Sequence, residues 1–248
     1  MTRTVLILGA SGRFGRHAAD AFAAAGWTVR TYDRTQRDLA RAAWGADVIV
    51  NAWNPVYPDW AAQVPVLTEK VIAVARQTGA TVMIPGNVYV YGVQTPAPWS
   101  ETSPHAAKNP LGRIRTEMED AYARSGVRTI ILRAGDFIDT QASGNWFDRF
   151  LTRRIASGVF AYPGDARIPH AWAYLPDMAR AAVAIADMRE TLPAFTDIPF
   201  PGYTLTGAEM VAALERVTGR PIRLRRFSYL PLRLLAPFGR LASCVVEM

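Results

Sequence analysis

Gly9, Gly12 and Gly15 stand at a spacing that could hold a phosphate. They follow the apolar run at 5–8 and lead straight into the alanine-rich stretch 16–25, which reads as strand, glycine turn and helix start. One glycine allows the tight turn, one lets a pyrophosphate approach the backbone, and one lets the helix pack closely on the strand. The helix then aims its unpaired N–H groups and positive dipole end at the phosphates. Glycine turns also join strands to helices where nothing binds, so the pattern needs context. A second strand at 28–32 supplies it by ending beside Asp33, 18 positions after Gly15. That is close to the roughly 20 at which a carboxylate meets the adenosine ribose hydroxyls of a dinucleotide.

These groups need a scaffold, and the hydrophobic pattern implies an α/β one. Short, nearly uniformly apolar strands at 4–8, 28–32, 47–51, 81–84 and 127–132 alternate with helices at 14–25, 37–44, 60–78 and 111–125. Such strands belong to a parallel sheet covered on both faces, so the expected fold is a Rossmann-like, doubly wound parallel sheet. Only 13 residues separate Asp33 from Asp47, room for one short helix. The third strand of the usual order is therefore expected to be missing, which removes no interior pairing because that strand sits at the edge.

Residues 1–134 read as the dinucleotide-binding core. After Ala134 the alternation breaks into a loop at 136–145, a helix at 146–157, a strand-like stretch at 168–174 and a helix at 176–188 with Pro176 in its first turn. The stretch 195–199, a helix at 207–218 capped by Thr206 and a strand at 222–227 follow. Residues 135–248 are expected to contribute a small substrate-binding lobe, integrated with the core into one domain. It should lie over the carboxyl ends of the strands, where open α/β sheets bind ligands. The apolar end, 229–248, reads as packing on the lobe or as awaiting a partner.

Composition narrows the partners. Half the residues are hydrophobic and a fifth are charged, as in an ordinary soluble globular protein. No apolar run approaches the roughly 18 residues of a membrane span, and a strand beginning at Thr4 leaves no room for a signal peptide, so a cytoplasmic location is expected. The single cysteine, Cys244, excludes an internal disulfide framework and a cysteine-rich metal site. Net charge is +7, and seven arginines lie between Arg216 and Arg240 with no acidic residue among them. They read as a solvated basic face or as a site for an anionic substrate. No recognition-helix, zinc-finger or RNP signature accompanies them, which argues against nucleic acid.

Gly9, Gly12, Gly15 and Asp33, with residues 48–52 (VIVNA), 88–92 (VYVYG) and 174–181 (YLPDMARA), resemble the extended or atypical short-chain dehydrogenase/reductase superfamily. More narrowly, they resemble its NAD-dependent epimerase/dehydratase branch, over nearly the whole chain to about residue 240. The resemblance implies that Gly9, Ser11, Gly12, Arg13, Phe14 and Gly15 line a pyrophosphate and that Asp33 meets the adenosine ribose. Asn51, Ala52 and Trp53 would then pass beside the two riboses. The cofactor is NAD or NADP: Asp33 repels a 2′-phosphate, whereas Arg34 and Arg13 could accept one, and the balance leans to NAD.

The expected catalytic apparatus departs from the family. Redox members carry a tyrosine and, four residues later on the same helix face, a lysine that lowers the phenol pKa. Here Leu111 and Arg115 occupy those places. Leucine moves no proton; arginine keeps the charge and can hydrogen-bond a ribose, but it is no tunable acid. The usual serine is replaced within 85–87, where Asn87 could polarise a substrate oxygen. Tyr89 and Tyr91 are the substitute proton donors, each with the alternative of an aromatic that packs the loop or touches substrate.

Of the remaining titratable groups, Lys108 reads as solvated, His17 as a surface or packing residue, and His105 as a group in a proline-rich loop. His170, on a segment expected to cross the pocket mouth, reads as a structural hydrogen bond or a titratable site group. Asp177 reads as a helix-start residue. Trp53, Tyr57, Trp60, Trp99, Trp146, Phe147 and Trp172 could form an apolar pocket wall or core.

The functional expectation is an epimerase, dehydratase or reductase acting on a small carbonyl or sugar-derived substrate, anionic or sugar-like, with a homodimer as a candidate assembly and no membrane partner. The alternative is a dinucleotide-binding redox sensor without turnover. A scaffold with a vestigial glycine loop is the third.

Overall fold

The computed structural model describes residues 3–33, 35, 38–230 and 244. Arg34 and the start of the expected 37–44 helix lie outside the described residues, as does all of 229–248 except Tyr229, Leu230 and Cys244. Five strands, β1 (Thr4–Leu8), β2 (Thr28–Tyr32), β3 (Val48–Asn51), β4 (Thr81–Gly86) and β5 (Thr129–Arg133), join a later one, β9 (Phe195–Pro199). All pair in parallel, in the order β2-β1-β3-β4-β5-β9. β2 is the edge beside β1, so among the described residues the third strand of the usual order is absent, as the short 34–46 interval implies.

Side chains alternate across the sheet with the period of two that a pleat imposes. Leu6, Leu8, Ile49, Val82, Ile84 and Ile131 face one core, beneath α2 (Leu39–Ala43), α3 (Trp60–Thr78) and α4 (Pro110–Arg124). Val5, Ile7, Val48, Val50, Met83 and Ile130 face the other, beneath α1 (Arg13–Ala24) and α5 (Leu175–Asp187). On α1 the buried residues Phe14, Ala18 and Phe22 recur every fourth position, the stripe by which a helix seats on a sheet.

The segment after Ala134 divides its work. α5 and β9 return to the core sheet, β9 pairing with β5, while the remainder builds the lobe from β6 (Asp136–Ile138), β7 (Val159–Tyr162), β8 (His170–Tyr174), β10 (Tyr203–Leu205), α6 (Gly207–Thr218) and β11 (Arg223–Arg226). These strands form two small sheets, β10-β8-β6 and β11-β7, around Leu151, Phe160, Tyr162, Trp172, Met210 and Ile222. The expected 136–145 loop in fact opens with β6, and β7 and β10 escape the sequence pattern because three or four residues carry too little periodicity. The expected 146–157 helix is a π-helical turn, Phe147–Leu151, followed by a 3-10 turn, Ile155–Ser157. Gly158, at φ +68°, ends it in a left-handed conformation that suits glycine. Thr206 caps α6 as expected, in a reciprocal capping box with Glu209.

Candidate active site

The glycine turn is tight enough that two of its glycines are obligatory. Gly9 adopts φ +79°, and a Cβ there would stand 2.9 Å from the Ala52 carbonyl oxygen; a Cβ on Gly15 would stand 2.1 Å from the Gly9 oxygen. Gly12 is the N-cap of α1, with no side-chain cap and no acidic residue in the first turn. The Gly12 N–H donates to the Gly9 carbonyl at 2.9 Å. The N–H groups of Arg13, Phe14 and Gly15 are left for an anion, as at any uncapped helix start. Phe14 contributes backbone only, since its ring is buried in the α1 core, and Ser11 is exposed on the turn.

Several expected cofactor contacts are already committed within the protein. Arg13 donates from Nε to the Ser143 carbonyl at 2.9 Å and from Nη2 to the Gly144 carbonyl at 2.6 Å, so it is no free acceptor for a 2′-phosphate. Asn51, buried at the exit of β3, donates to the Tyr122 hydroxyl at 3.2 Å and accepts the Trp53 N–H at 3.4 Å. Trp53 is buried edge-on to Tyr32. Ala52 meets the glycine turn through its backbone. The exposed Asp33 carboxylate accepts the Thr35 N–H at 2.9 Å, which holds its pKa below the ordinary value.

On α4, Leu111 is buried, and Arg115 lies one turn further along, 6% exposed. Its guanidinium sits 5.2 Å over the Trp60 ring and donates from Nη2 to the Pro85 carbonyl at 3.2 Å. Nε is buried with no partner. Burial lowers the Arg115 pKa, opposed by the charge of Glu119. After β4, the Asn87 side chain accepts the Tyr89 N–H at 3.0 Å. The Asn87 amide nitrogen is left for a ligand oxygen.

The two tyrosines part company. Tyr91 is buried, donates to the Ser100 carbonyl at 3.2 Å and packs among Trp99, His105 and Arg133, which engages both its hydroxyl and its ring. Tyr89 shares a 3.0 Å hydroxyl contact with Tyr57. Burial raises its pKa far above the ordinary range, reinforced by Tyr57 and the charge of Asp136, and only Arg115 works the other way. Tyr89 is thus a neutral hydroxyl, the reverse of the phenol that a lysine would activate.

Beneath this wall, Arg133 at the end of β5 bridges two carboxylates. It reaches Glu119 at 2.7 Å and Asp197 at 3.0 Å, and it also donates to the Asn87 carbonyl. His105 stands 3.8 Å from each carboxylate. These three acidic and histidine side chains could geometrically surround a cation, but the guanidinium already fills that role. The spacing of Arg115 and Glu119 hints at a shared face of α4; the partnership with Asp197, 64 residues beyond Arg133, has no sequence signal.

Across the carboxyl edge, Asp136 of β6 accepts from His170 of β8 at 2.9 Å. The remaining expectations settle simply. Lys108 is exposed, and Asp177 pairs with Arg180 in the first turn of α5. His17 and Arg16 both hold Asp139, at 2.7 and 2.6 Å. Trp60 and Trp172 are core, whereas Trp99 is 41% exposed.

Fold and glycine turn together define a Rossmann-type α/β protein whose first helix starts uncapped behind that turn. The sequence matches the family described as "NAD dependent epimerase/dehydratase family" over residues 5–198, and the chain belongs to that family. Comparison with curated proteins finds no match. Among solved structures, the chain is similar to UDP-N-acetylglucosamine 4-epimerase from Bacillus cereus, with a TM-score of 0.76, 14% identity, and coverage of 92% of this chain and 86% of that one. It is similar to UDP-glucose 4-epimerase from Brucella ovis in complex with NAD, with a TM-score of 0.71, 19% identity and the same coverages. A third similar structure is an NAD-dependent NDP-hexosamine 5,6-dehydratase from tunicamycin biosynthesis, with a TM-score of 0.71, 18% identity, and coverage of 91% and 84%. Among the described residues no helix is long and apolar enough to cross a membrane.

Proposed function

We propose that this chain binds NAD at the glycine turn and exchanges hydride at a carbinol or carbonyl carbon of a small, sugar-derived substrate, as an epimerase, dehydratase or reductase that dispenses with the tyrosine and lysine pair. The observation that carries the reading is the uncapped start of α1, with Asp33 at the end of the next strand. The residues fit the cofactor. Around Gly12 only the Gly9 oxygen lies within 4 Å of a would-be Cβ, which leaves the backbone open to a pyrophosphate. Asp33 disfavours a 2′-phosphate, and of the two arginines that could offset it, Arg13 is spent on loop carbonyls and Arg34 lies outside the described residues. At the other end, the orphaned Nε of Arg115 lacks an acceptor that a ribose hydroxyl would provide. Similarity to enzymes of nucleotide-linked sugars supports the substrate class.

Bound NAD would supply hydride acceptance and return. The chain's own part is to hold the substrate oxygen: the Asn87 amide and the neutral Tyr89 hydroxyl are donors suited to a carbonyl oxygen, and the Arg115 charge steadies negative charge building on it. Leu111 favours a second reading, a redox sensor that binds the dinucleotide without turnover.

Titration with NAD, NADH, NADP and NADPH, followed by tryptophan fluorescence, tests the first step, because the Trp53 ring lies beside Gly9. NAD and NADH are expected to bind more tightly than their phosphorylated forms. A panel of nucleotide sugars and small carbonyls, followed by NADH absorbance and by NMR of the sugar, tests the second. Binding without turnover would favour the sensor, and absence of binding would sink both readings.

A further inference from the structure

The carboxyl edge of the sheet carries a pair of titratable groups that the hydride reading leaves unused. Asp136 opens β6 just beyond β5, and His170 opens β8, the strand paired beside β6. Their 2.9 Å contact joins Oδ2 to Nε2, and each side chain is 35% exposed, so the pair is open rather than sealed in the core. The imidazole lies on Trp172, centroids 4.5 Å apart, and is held from two sides. Tyr162 of β7, Tyr229 and Tyr89 all feel the charge of Asp136, and Arg115 acts on Tyr89 in the opposite sense. β10 meets His170 at Leu205, which brings no titratable group.

Elimination points to the same pair. Tyr89 is held neutral, and asparagine and arginine do not exchange protons near neutrality. Of the three histidines in the chain, His17 holds Asp139 and His105 lies against the Arg133 cluster. His170 is the one paired with Asp136, whose charge reaches Tyr89. An ionised Asp136 accepts the Nε2–H, which leaves the ring's lone pair on Nδ1.

We propose that His170 is the proton-transfer residue of this cleft and that Asp136 positions it. In oxidation the substrate O–H bond breaks and its proton goes to His170 Nδ1. The carbon–hydrogen bond breaks and a carbon–oxygen double bond forms, the hydride being the one that a bound oxidised nicotinamide dinucleotide would accept. In reduction the imidazolium gives its proton back to the oxygen, and a bound reduced dinucleotide would return hydride to that carbon. The inference rests on the proposed hydride chemistry, but it has a readout of its own.

The test compares wild type, His170→Gln and Asp136→Asn in the full chain. Nitrogen-15 NMR of the imidazoles reads the tautomer, and NADH-coupled rates over the carbonyl panel read the chemistry across pH. Wild type is expected to show one His170 tautomer, protonated on Nε2, which Asp136→Asn converts to a mixture. His170→Gln should lose about 100-fold or more in kcat, with little change in the KM for NADH, and should lose an ionisation from the pH profile. Asp136→Asn should lower kcat less and displace that ionisation. A His170 protonated on Nδ1, a tautomer indifferent to Asp136→Asn, or a His170→Gln variant within twofold of wild type with its pH profile intact would each overturn the proposal. If wild type turns over nothing in the panel, the hydride reading fails, and the tautomer alone then decides whether the base is assembled.

Discussion

Replacing Arg133 by methionine should unfold much of the protein's margin of stability. The guanidinium and the Glu119 carboxylate are both 2% exposed, and Asp197 is 12% exposed. Arg133 donates to Glu119 through Nη1 and Nη2, to Asp197 through Nε and Nη2, and to the Asn87 carbonyl. Removing one member of such a buried ion pair costs about 3–5 kcal/mol, because the other charge is left uncompensated. The Asn87 carbonyl loses its donor as well, for about 1 kcal/mol more. The expected loss of about 4–6 kcal/mol is a large share of the roughly 5–15 kcal/mol by which domains are stable. Urea denaturation measures it through the midpoint at unchanged slope. Two carboxylates are then left with the His105 imidazole, 3.8 Å from each, and their like charge favours the protonated form. A group whose proton is held more tightly when folded is stabilising at low pH and loses that contribution as pH rises. The penalty should therefore be greatest at neutral pH and shrink through the acid range. Glu119→Gln, which keeps the volume, should cost about 1.5–3 kcal/mol and serves if Arg133→Met does not fold. A loss below about 1 kcal/mol at neutral pH in both variants would refute the ion-pair account.

Three more outcomes follow from the geometry. Gly15→Ala places a Cβ 2.1 Å from the Gly9 oxygen, so it should abolish dinucleotide binding in the fluorescence titration and destabilise by about 1–3 kcal/mol. Burial pushes the Asp139 carboxyl up, but hydrogen bonds from Ser143, His17 and Arg16 outweigh it and hold the pKa at about 2. A carboxyl depressed by folding stabilises above its unfolded value and loses that contribution as pH falls through the folded one. Asp139→Asn should therefore remove about 2 kcal/mol at neutral pH and flatten stability between about pH 4 and 2, as read by denaturation at each pH. Tyr89→Phe should cost about 1 kcal/mol for the lost Tyr57 contact and leave the pH–rate profile unshifted; a vanished basic limb would restore Tyr89 as the proton donor.

Local chemistry made the core of this protein legible. The strands β1 to β5, the helices between them, the glycine turn and Asp33 depend on spacing over a few residues, and so does the substitution of Leu111 and Arg115 on one face of α4. The short interval after Asp33 likewise foretold β2 at the sheet edge. The lobe was less readable, because β6, β7 and β10 are three or four residues long and draw their order from pairing partners rather than from a pattern of their own.

The assignment of side chains was decided by the tertiary structure alone. Arg13 was a plausible phosphate ligand until its guanidinium met the carbonyls of Ser143 and Gly144, about 130 residues away. Asn51, expected beside a ribose, donates to the Tyr122 hydroxyl 71 residues away. Tyr91 and Tyr89 differ by two positions in a loop, yet one packs on Trp99 and His105 and the other on Tyr57 and Trp60. Asp136 and His170 are 34 residues apart and meet only because β6 and β8 pair. Sequence spacing determines which groups share an element; which of them remains free to act depends on hydrogen-bond partners that arrive from distant parts of the chain.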